Sequence, residues 1–221
     1  MPWRIIDLIN WGTEHFTQKG VENSRMEIEW FLCDVLDCQR IDLYIQFEDI
    51  LSENNLTKLR QMVQRRMAGE PFQQILNKGS FYGRDFKVNK NVFIPRSETE
   101  LLIERLKACG KIDSLLDIGT GSGCIAITAS LEGLAENIFA TDNSQSALNI
   151  AKNNMELFGV TNLQLAFHDF FQNRFKSKFD VVVSNPPYID LDEIDLLQAE
   201  VRDYEPLSSL TDGFDGVSFY R

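Results

Sequence analysis

Leu115-Leu116-Asp117-Ile118, followed at once by Gly119-Thr120-Gly121-Ser122-Gly123 and then by Ile125-Ala126-Ile127, carries the reading of the fold. The first four residues form a short, mostly apolar run that reads as a strand. The glycines behind it let a ligand touch the backbone, and a helix over Ile125 to Leu131 turns its N-terminus toward negative charge. A strand, a glycine-rich turn and a helix are common to many nucleotide-type cofactor sites. Here the spacing is GxGxG, not the GxGxxG of the dinucleotide fingerprint, which counts against NAD. Downstream, the same alternation continues. Asn137 to Thr141 reads as a second strand, Ala147 to Phe158 as a helix, Leu163 to Phe167 as a third strand and Asp180 to Ser184 as a fourth. Strands alternating with helices predict an α/β fold with a parallel, doubly wound sheet and helical crossovers.

The strand ends carry the candidate chemistry. Asp142 closes the second strand, 23 residues after Gly119, where a carboxylate can take both hydroxyls of a ribose. It could instead cap the next helix, but its place directly behind a strand favours the ribose. His168-Asp169-Phe170-Phe171 ends the third strand. Asp169 can accept from an adenine amino group and Phe170 can pack on the ring, or the two phenylalanines belong to the core beside a loop acid. Phe179 to Ser184 reads as a buried strand, and Asn185-Pro186-Pro187-Tyr188 follows it. Two successive prolines cannot donate to a sheet ladder, and each pushes its predecessor into an extended conformation. Asn185 is thus held stiffly at a strand's carboxyl end. Its side-chain carbonyl, with the Pro186 carbonyl, can accept two hydrogen bonds from one NH2 group, while Tyr188 offers a flat face. A proline-capped strand end with a solvated asparagine is the plainer alternative.

Upstream, residues 1–75 read as an all-helical domain. Ile5, Ile6, Leu8 and Ile9, with Trp3 and Trp11, suit a first amphipathic helix. Ser24-Arg25-Met26-Glu27 has the capping-box pattern before a second, with Ile28, Phe31, Leu32, Val35 and Leu36 on one face. A third covers Asn54 to Met67 and stops at Gly69-Glu70-Pro71. No polar cluster capable of chemistry is visible there, which suits a recognition or lid module. Residues 76–98 read as a β-hairpin linker, with strands over Phe81 to Val88 and Val92 to Ile94 and a turn at Asn89-Lys90-Asn91. Ser97-Glu98-Thr99-Glu100 is a second capping-box pattern. Residues 99–221 form the third segment.

Composition sets outer limits. The 221 residues carry 33 acidic and 22 basic side chains, a net charge of −11, and both the helical stretch and the remainder are acidic. That disfavours a phosphate-backbone grip, which needs clustered Lys and Arg. No signal pattern and no membrane-length apolar run is present. Cys33, Cys38, Cys109 and Cys124 form no CxxC pair, so reduced, buried thiols of a cytoplasmic protein are expected, with no metal site. Asp190, Asp192, Glu193 and Asp195 read as a solvated rim.

Together, Asp117-Ile118-Gly119-Thr120-Gly121-Ser122-Gly123, Asp142 and Asn185-Pro186-Pro187-Tyr188 resemble class I S-adenosylmethionine-dependent methyltransferases acting on amide or amino nitrogen. More narrowly, the chain resembles the PrmC/HemK family, the release factor glutamine methyltransferases. Arg65-Arg66-Met67-Ala68-Gly69-Glu70-Pro71, Phe81-Tyr82-Gly83, Ile94-Pro95-Arg96-Ser97-Glu98-Thr99-Glu100, Tyr204-Glu205-Pro206 and Asp212-Gly213-Phe214-Asp215-Gly216 are similar to its further motifs. Ser97 stands where the family usually has proline, and Gln74 and Asn77 replace its usual Tyr and Gly. The family's sheet is larger than the four strands found here, so a C-terminally truncated Rossmann-like domain with an unpaired edge is expected.

The resemblance implies methyl transfer from S-adenosylmethionine, leaving S-adenosylhomocysteine, to the side-chain amide nitrogen of the glutamine in the Gly-Gly-Gln loop of class I peptide chain release factors. It implies that Gly119, Thr120, Gly121, Ser122, Gly123, Asp142, Phe170 and Asn185 hold the cofactor. Asn185, Pro186, Pro187 and Tyr188 would hold the substrate, with Asn185, Pro186 and Tyr188 as the catalytic set. Arg96 and Glu98 either border that pocket or form a structural ion pair. The expected protein is a cytoplasmic monomer with no metal and no direct contact with nucleic acid or membrane. Its rivals are a nucleic-acid amino-group methyltransferase and a truncated, non-catalytic module that binds release factor or cofactor.

Overall fold

Residues 2–221 are described by a computed structural model. The chain divides into two units, Met1–Leu76 and Asn77–Arg221, each with its own buried cluster.

The first unit is helical: α1 (Ile5–Gln18), α2 (Ser24–Leu36), α3 (Arg40–Ile45), α4 (Glu53–Met67) and α5 (Phe72–Leu76). Ile5, Leu8, Ile9 and Phe16 of α1 meet Ile28, Phe31 and Leu32 of α2 and Leu56, Leu59 and Val63 of α4 in one core. The spacings follow a helical stripe, as expected. Phe16 and Phe31 meet edge-on, with ring centroids 6.1 Å apart. Neither α3 nor α5 was marked by periodicity, because each is too short to show a repeat. The capping box expected at Ser24–Glu27 is absent. Ser24 is the first residue of the helix, and its hydroxyl donates to Val21 C=O (2.6 Å). Glu27 is drawn away by the Arg66 guanidinium, which donates from Nε at 2.7 Å. Glu29, whose side chain is fully buried, accepts from Arg25, Arg40 and the Tyr44 hydroxyl. Burial raises its carboxyl pKa, but these three bonds outweigh burial and hold it below the usual carboxylate range. The two buried acids of this unit, Glu27 and Glu29, are thus both taken up by internal pairs.

The second unit opens with a hairpin, β1 (Lys78–Phe81) and β2 (Arg84–Lys87), joined through Tyr82 and Gly83. Both turn residues have positive φ, 52° and 70°, as a two-residue type I′ turn requires. This corrects the expected strands. The turn falls inside the stretch expected as the first strand, and Val92 to Ile94 forms no strand. Phe81 and Phe86 of the hairpin lie in the unit's core. Ser97–Thr99 forms a 3-10 turn before α6 (Glu100–Ala108), and the second capping box is also absent. The Ser97 hydroxyl donates to Glu98, and the Glu100 carboxylate accepts from Tyr82 N–H instead.

The sheet follows: β3 (Ile112–Ile118), α7 (Cys124–Leu131), β4 (Ala135–Asp142), α8 (Gln145–Leu157), β5 (Leu163–Phe167) and β6 (Val181–Ser184). All four strands are parallel, in the order β5-β4-β3-β6. Helices carry the first two crossovers, as expected. Residues 168–180, between β5 and β6, contain no helix. The strand expected to be buried before Asn185 lies beside β3 alone, so Val183 is buried while Val182 is exposed. Beyond β6, α9 (Ala199–Arg202) and α10 (Leu207–Leu210) are single turns. Asp190, Asp192, Glu193 and Asp195 stand in or beside a 3-10 segment, Leu191–Leu196, with Asp190 capping it through Asp192 N–H. All four cysteines are free. Cys33 and Cys124 are buried, and burial pushes each thiol up to about 12, but Cys109 is exposed, correcting the expectation of uniformly buried thiols. No helix among the described residues is long and apolar enough to cross a membrane.

Gly12 of α1 sits against Ile28 so closely that an added Cβ would lie 2.3 Å from Ile28 Cγ1. Gly12→Ala gains about 1 kcal/mol of helix propensity but overpacks a fully buried neighbour at about 1–3 kcal/mol. The net expectation is a lower urea midpoint; a raised midpoint would show that α1 and α2 separate freely.

Candidate functional site

The strand order fixes where a site can form. From β3 the chain winds outward through β4 and β5, then returns to add β6 on the other side of β3. The carboxyl ends of β3 and β6 therefore diverge at a switch point, where open parallel sheets leave a crevice. A cavity of about 310 Å³ lies there. Its walls come from the residues just past all four strand ends: Ile118 to Ser122, Asp142 to Ser144, His168 to Phe171, and Ser184 to Ile189. Asn91 to Phe93, Arg96, Thr99, Leu210 and Phe219 are among the other residues lining it.

On the glycine side, Gly119, Gly121 and Gly123 have φ of 72°, 56° and 81°. Side chains rarely tolerate this region, so the loop keeps its backbone bare toward the cavity. The end of β4 shapes it: Gly119 N–H and Thr120 N–H both donate to Thr141 C=O at 2.9 Å. Asp142 Oδ2 accepts from Gly121 N–H and Oδ1 from Ser144 N–H, each at 2.9 Å. Ser144, not Asp142, caps α8, its hydroxyl accepting from Ala147 N–H. A carboxylate offers about four acceptor positions, so Asp142 keeps capacity on the cavity side. Burial raises its pKa, and the backbone N–H groups of Gly121, Ser144 and Asn143 oppose that.

Beneath the loop, Asp117 is completely buried. Thr120 Oγ1 donates to its Oδ2 at 2.7 Å, while Oδ1 has no hydrogen-bond partner among the described residues. Burial pushes this carboxyl up to about 7, against the Thr120 bond. Asp117 does not line the cavity; it braces the loop from beneath through Thr120.

On the opposite side, Asn185 Nδ2 donates to Thr99 Oγ1 at 3.3 Å. Among the described residues no group donates to Asn185 Oδ1 or Pro186 C=O, so two acceptors stand free at the end of β6. Pro186 is buried, Pro187 half-buried and Tyr188 exposed at the rim. Phe170 is also outside the core. It lines the cavity, with its ring stacked on Phe219 at 6.1 Å. Asp169 Oδ1 accepts from Phe171 N–H and Gln172 N–H.

Of the two roles left open for Arg96, the structural ion pair is formed, and Arg96 lines the cavity as well; which residue it pairs with, and the contacts of Asn154, had no motif to mark them. Arg96 pairs with the buried carboxylate of Glu205, which also accepts from Ile94 N–H; burial raises the Glu205 pKa, against the Arg96 charge. Their separation of more than a hundred residues leaves no local signal. Glu98 takes no part in that pair. Asn154, fully buried in α8, donates to Ser122 C=O (2.8 Å) and Lys87 C=O (3.0 Å) and accepts from Lys87 N–H (2.7 Å). It thereby ties the glycine loop to the hairpin. A signal existed here, since Asn154 interrupts the inward stripe Leu148, Ala151 and Met155. Asp212 organises the loop that delivers Phe219.

Family profiles match within both units. The PrmC N-terminal domain profile matches residues 7–76, and that of the methyltransferase small domain matches residues 86–200. A release factor glutamine methyltransferase of Geobacter sulfurreducens is 38% identical over 220 residues, 99% of this chain and 77% of the relative. The Bacillus subtilis enzyme of the same name is 36% identical over 227 residues, covering 98% and 77%. Among solved structures, Pyrococcus abyssi tRNA (uracil-54, C5)-methyltransferase in complex with S-adenosyl-L-homocysteine is similar with a TM-score of 0.43 and 19% identity, over 57% of this chain and 32% of that one. Ribosomal protein L11 methylase from Lactobacillus delbrueckii subsp. bulgaricus gives 0.35 and 26%, over 52% and 56%. The Rossmann-like α/β class expected from the strand–glycine–helix unit is the one the parallel sheet and the methyltransferase profile share.

The buried Asp117 carboxyl gives a pH test. With its folded pKa raised to about 7 from an ordinary 3.8, the folded state holds the proton more tightly. Stability is then greatest at low pH and falls as pH rises from about 4 to 7, with a slope approaching 1.4 kcal/mol per pH unit. Urea melts of the wild type relative to Asp117→Asn should show this fall. Parallel pH profiles for the two proteins would refute the assignment.

Proposed function

The chain belongs to the release factor glutamine methyltransferase family, and from that premise we propose that it methylates the N5 side-chain amide of the Gly-Gly-Gln glutamine in class I peptide chain release factors. The observation that carries this reading is the pair of free acceptors, Asn185 Oδ1 and Pro186 C=O, across the same cavity from the bare glycine loop. The residues present suit S-adenosylmethionine. Asp142 has acceptor capacity for the ribose hydroxyls, and Phe170 has a cavity-facing ring for the base. The loop Gly119-Thr120-Gly121-Ser122-Gly123 admits the cofactor against backbone, and Asn185 borders it. When bound, the cofactor supplies a methyl group already activated on a sulfonium, so this chemistry calls for no metal.

The protein's task is then set by the nucleophile. An amide nitrogen is weak because its lone pair is delocalised into the carbonyl. Asn185 Oδ1 and Pro186 C=O would accept its two hydrogens, which fixes the nitrogen and favours pyramidalisation. Pro187 keeps the turn rigid, and Tyr188 holds the amide plane with its ring. The nitrogen gains the methyl and gives up one proton to water once methylated; S-adenosylhomocysteine is the other product. Orientation and preorganised acceptors would supply most of the rate. The acidic charge of the chain, −11, supports a protein substrate over a nucleic acid. The reading further takes the protein as a cytoplasmic monomer.

Transfer of labelled methyl from S-adenosylmethionine to purified release factor tests this. Label should appear on wild-type release factor and vanish when its Gly-Gly-Gln glutamine is changed to alanine, with none on nucleic acid. Asn185→Ala should lower kcat on the order of 100-fold or more, with a smaller loss of cofactor affinity than Asp142→Ala. Calorimetric titration should show Asp142→Ala losing at least about tenfold in cofactor affinity, the equivalent of ~1.4 kcal/mol. Label on DNA or RNA, or full activity in Asn185→Ala, would overturn the reading.

A further inference from the structure

The loop after α10 is built around one carboxylate. Asp212 Oδ1 accepts from Phe214 N–H (2.8 Å) and Gly216 N–H (3.0 Å), and Oδ2 accepts from Ser218 N–H (2.8 Å). The Ser218 contacts, with those from Phe214 and Gly216, hold this carboxyl well below the usual carboxylate range, so it stays charged and the loop stays wound about it. The loop is fastened to the chain beyond Tyr188 by two main-chain bonds. Ile189 N–H donates to Leu210 C=O at 3.0 Å and Leu191 N–H to Phe214 C=O at 2.9 Å.

Gly216 makes the closest approach. It is buried with φ of 74°, and a Cβ added there would lie 2.2 Å from Tyr188 O, 2.8 Å from Tyr188 C and 3.2 Å from Asp190 N. The peptide that carries Tyr188 into its position thus rests directly on bare backbone. A few residues later the same loop delivers Phe219, which stacks on Phe170 across the cavity. One carboxylate therefore shapes a segment that touches both the tyrosine wall and the phenylalanine wall.

We propose that Asp212 and Gly216 are positioning residues for methyl transfer: the loop wound around Asp212 presents Gly216 as the seat that fixes Tyr188, and with it the amide plane, relative to the Phe170 wall. This rests on the function proposed above, since Tyr188 needs a fixed place only if it orients an acceptor. Positioning is worth much in such a reaction, as a displacement of about 1 Å costs on the order of 100-fold in rate. At Gly216 the effect falls on the reacting geometry, because its nearest neighbours are the Tyr188 and Asp190 backbone; the Asp212 variants reach the Phe170 wall as well, through Phe219.

The test uses the whole chain as wild type, Gly216→Ala, Asp212→Ala and Asp212→Asn. In Asp212→Asn the amide nitrogen cannot accept from Ser218 N–H, while the remaining oxygen still serves Phe214 and Gly216, so its loss should be smaller than that of Asp212→Ala. Methylation of release factor by Gly216→Ala should fall in kcat about 100-fold, with KM for release factor and calorimetric affinity for S-adenosylmethionine within about threefold of wild type. Hydrogen exchange at the Ile189 and Leu191 amides should quicken in every variant. Unchanged kcat in Gly216→Ala overturns the proposal, and so does a loss matched by equal loss of cofactor affinity, which would make the loop a structural brace alone. If the wild type transfers no methyl to release factor, the function above fails by itself. The exchange measurement still decides the seat, because Ile189 and Leu191 amides as protected in the variants as in the wild type overturn it.

Discussion

The bond pair from Gly119 N–H and Thr120 N–H to Thr141 C=O is the constraint on which the second unit depends. It forces the chain leaving β3 to fold over the end of β4 before it can start α7, and this is possible only with residues that accept positive φ. Once the loop is bent this way, Gly121 N–H falls to Asp142, Thr120 Oγ1 falls to Asp117, and Ser122 C=O faces Asn154. Each of these side chains arrives from a different element, so the loop is over-determined. A backbone fixed from several directions is what a site needs if it is to hold a ligand through main-chain atoms, because no later rearrangement has to be driven by binding.

The far side of the cavity is built on another principle. The proline pair after β6 stiffens the chain by removing donors and narrowing φ, and among the described residues Asn185 Oδ1 and Pro186 C=O have no donor. Stiffness there comes from covalent geometry; around the glycine loop it comes from hydrogen bonds. Both serve the same end, which is polar groups held still while they wait for a partner. Asp117 holds the glycine loop from beneath, through Thr120 Oγ1.

Much of this was legible in the sequence because it is local. The strand–glycine–helix unit, the carboxylate at the end of β4 and the proline pair after β6 each announce themselves within a few residues, since backbone conformation is set by neighbours. The ends of β5 and α8 also fell close to expectation, because their apolar spacing is regular. The failures are equally physical. The Tyr82-Gly83 turn hid inside an apparently continuous strand, as its tyrosine takes a positive φ that composition does not advertise. Both expected capping boxes lost their acid or hydroxyl to partners elsewhere: Glu27 to Arg66, Glu100 to Tyr82 N–H. Arg96–Glu205 and the Asp212 loop join segments far apart in the chain or rely on one carboxylate serving several amides, and neither leaves a periodicity to read.

The separate cores of the two units share no residue, and every residue lining the cavity lies beyond Asn77. Substitutions inside the helical core therefore replace no residue of a strand end. Selection on the residues of the cavity and selection on the helical core thus act on separate sets of positions. Sequence drift among relatives should then be uneven, fast on the exposed faces of α1 to α5 and slow at the glycine loop and proline pair. The two sets of positions meet at Leu76–Asn77.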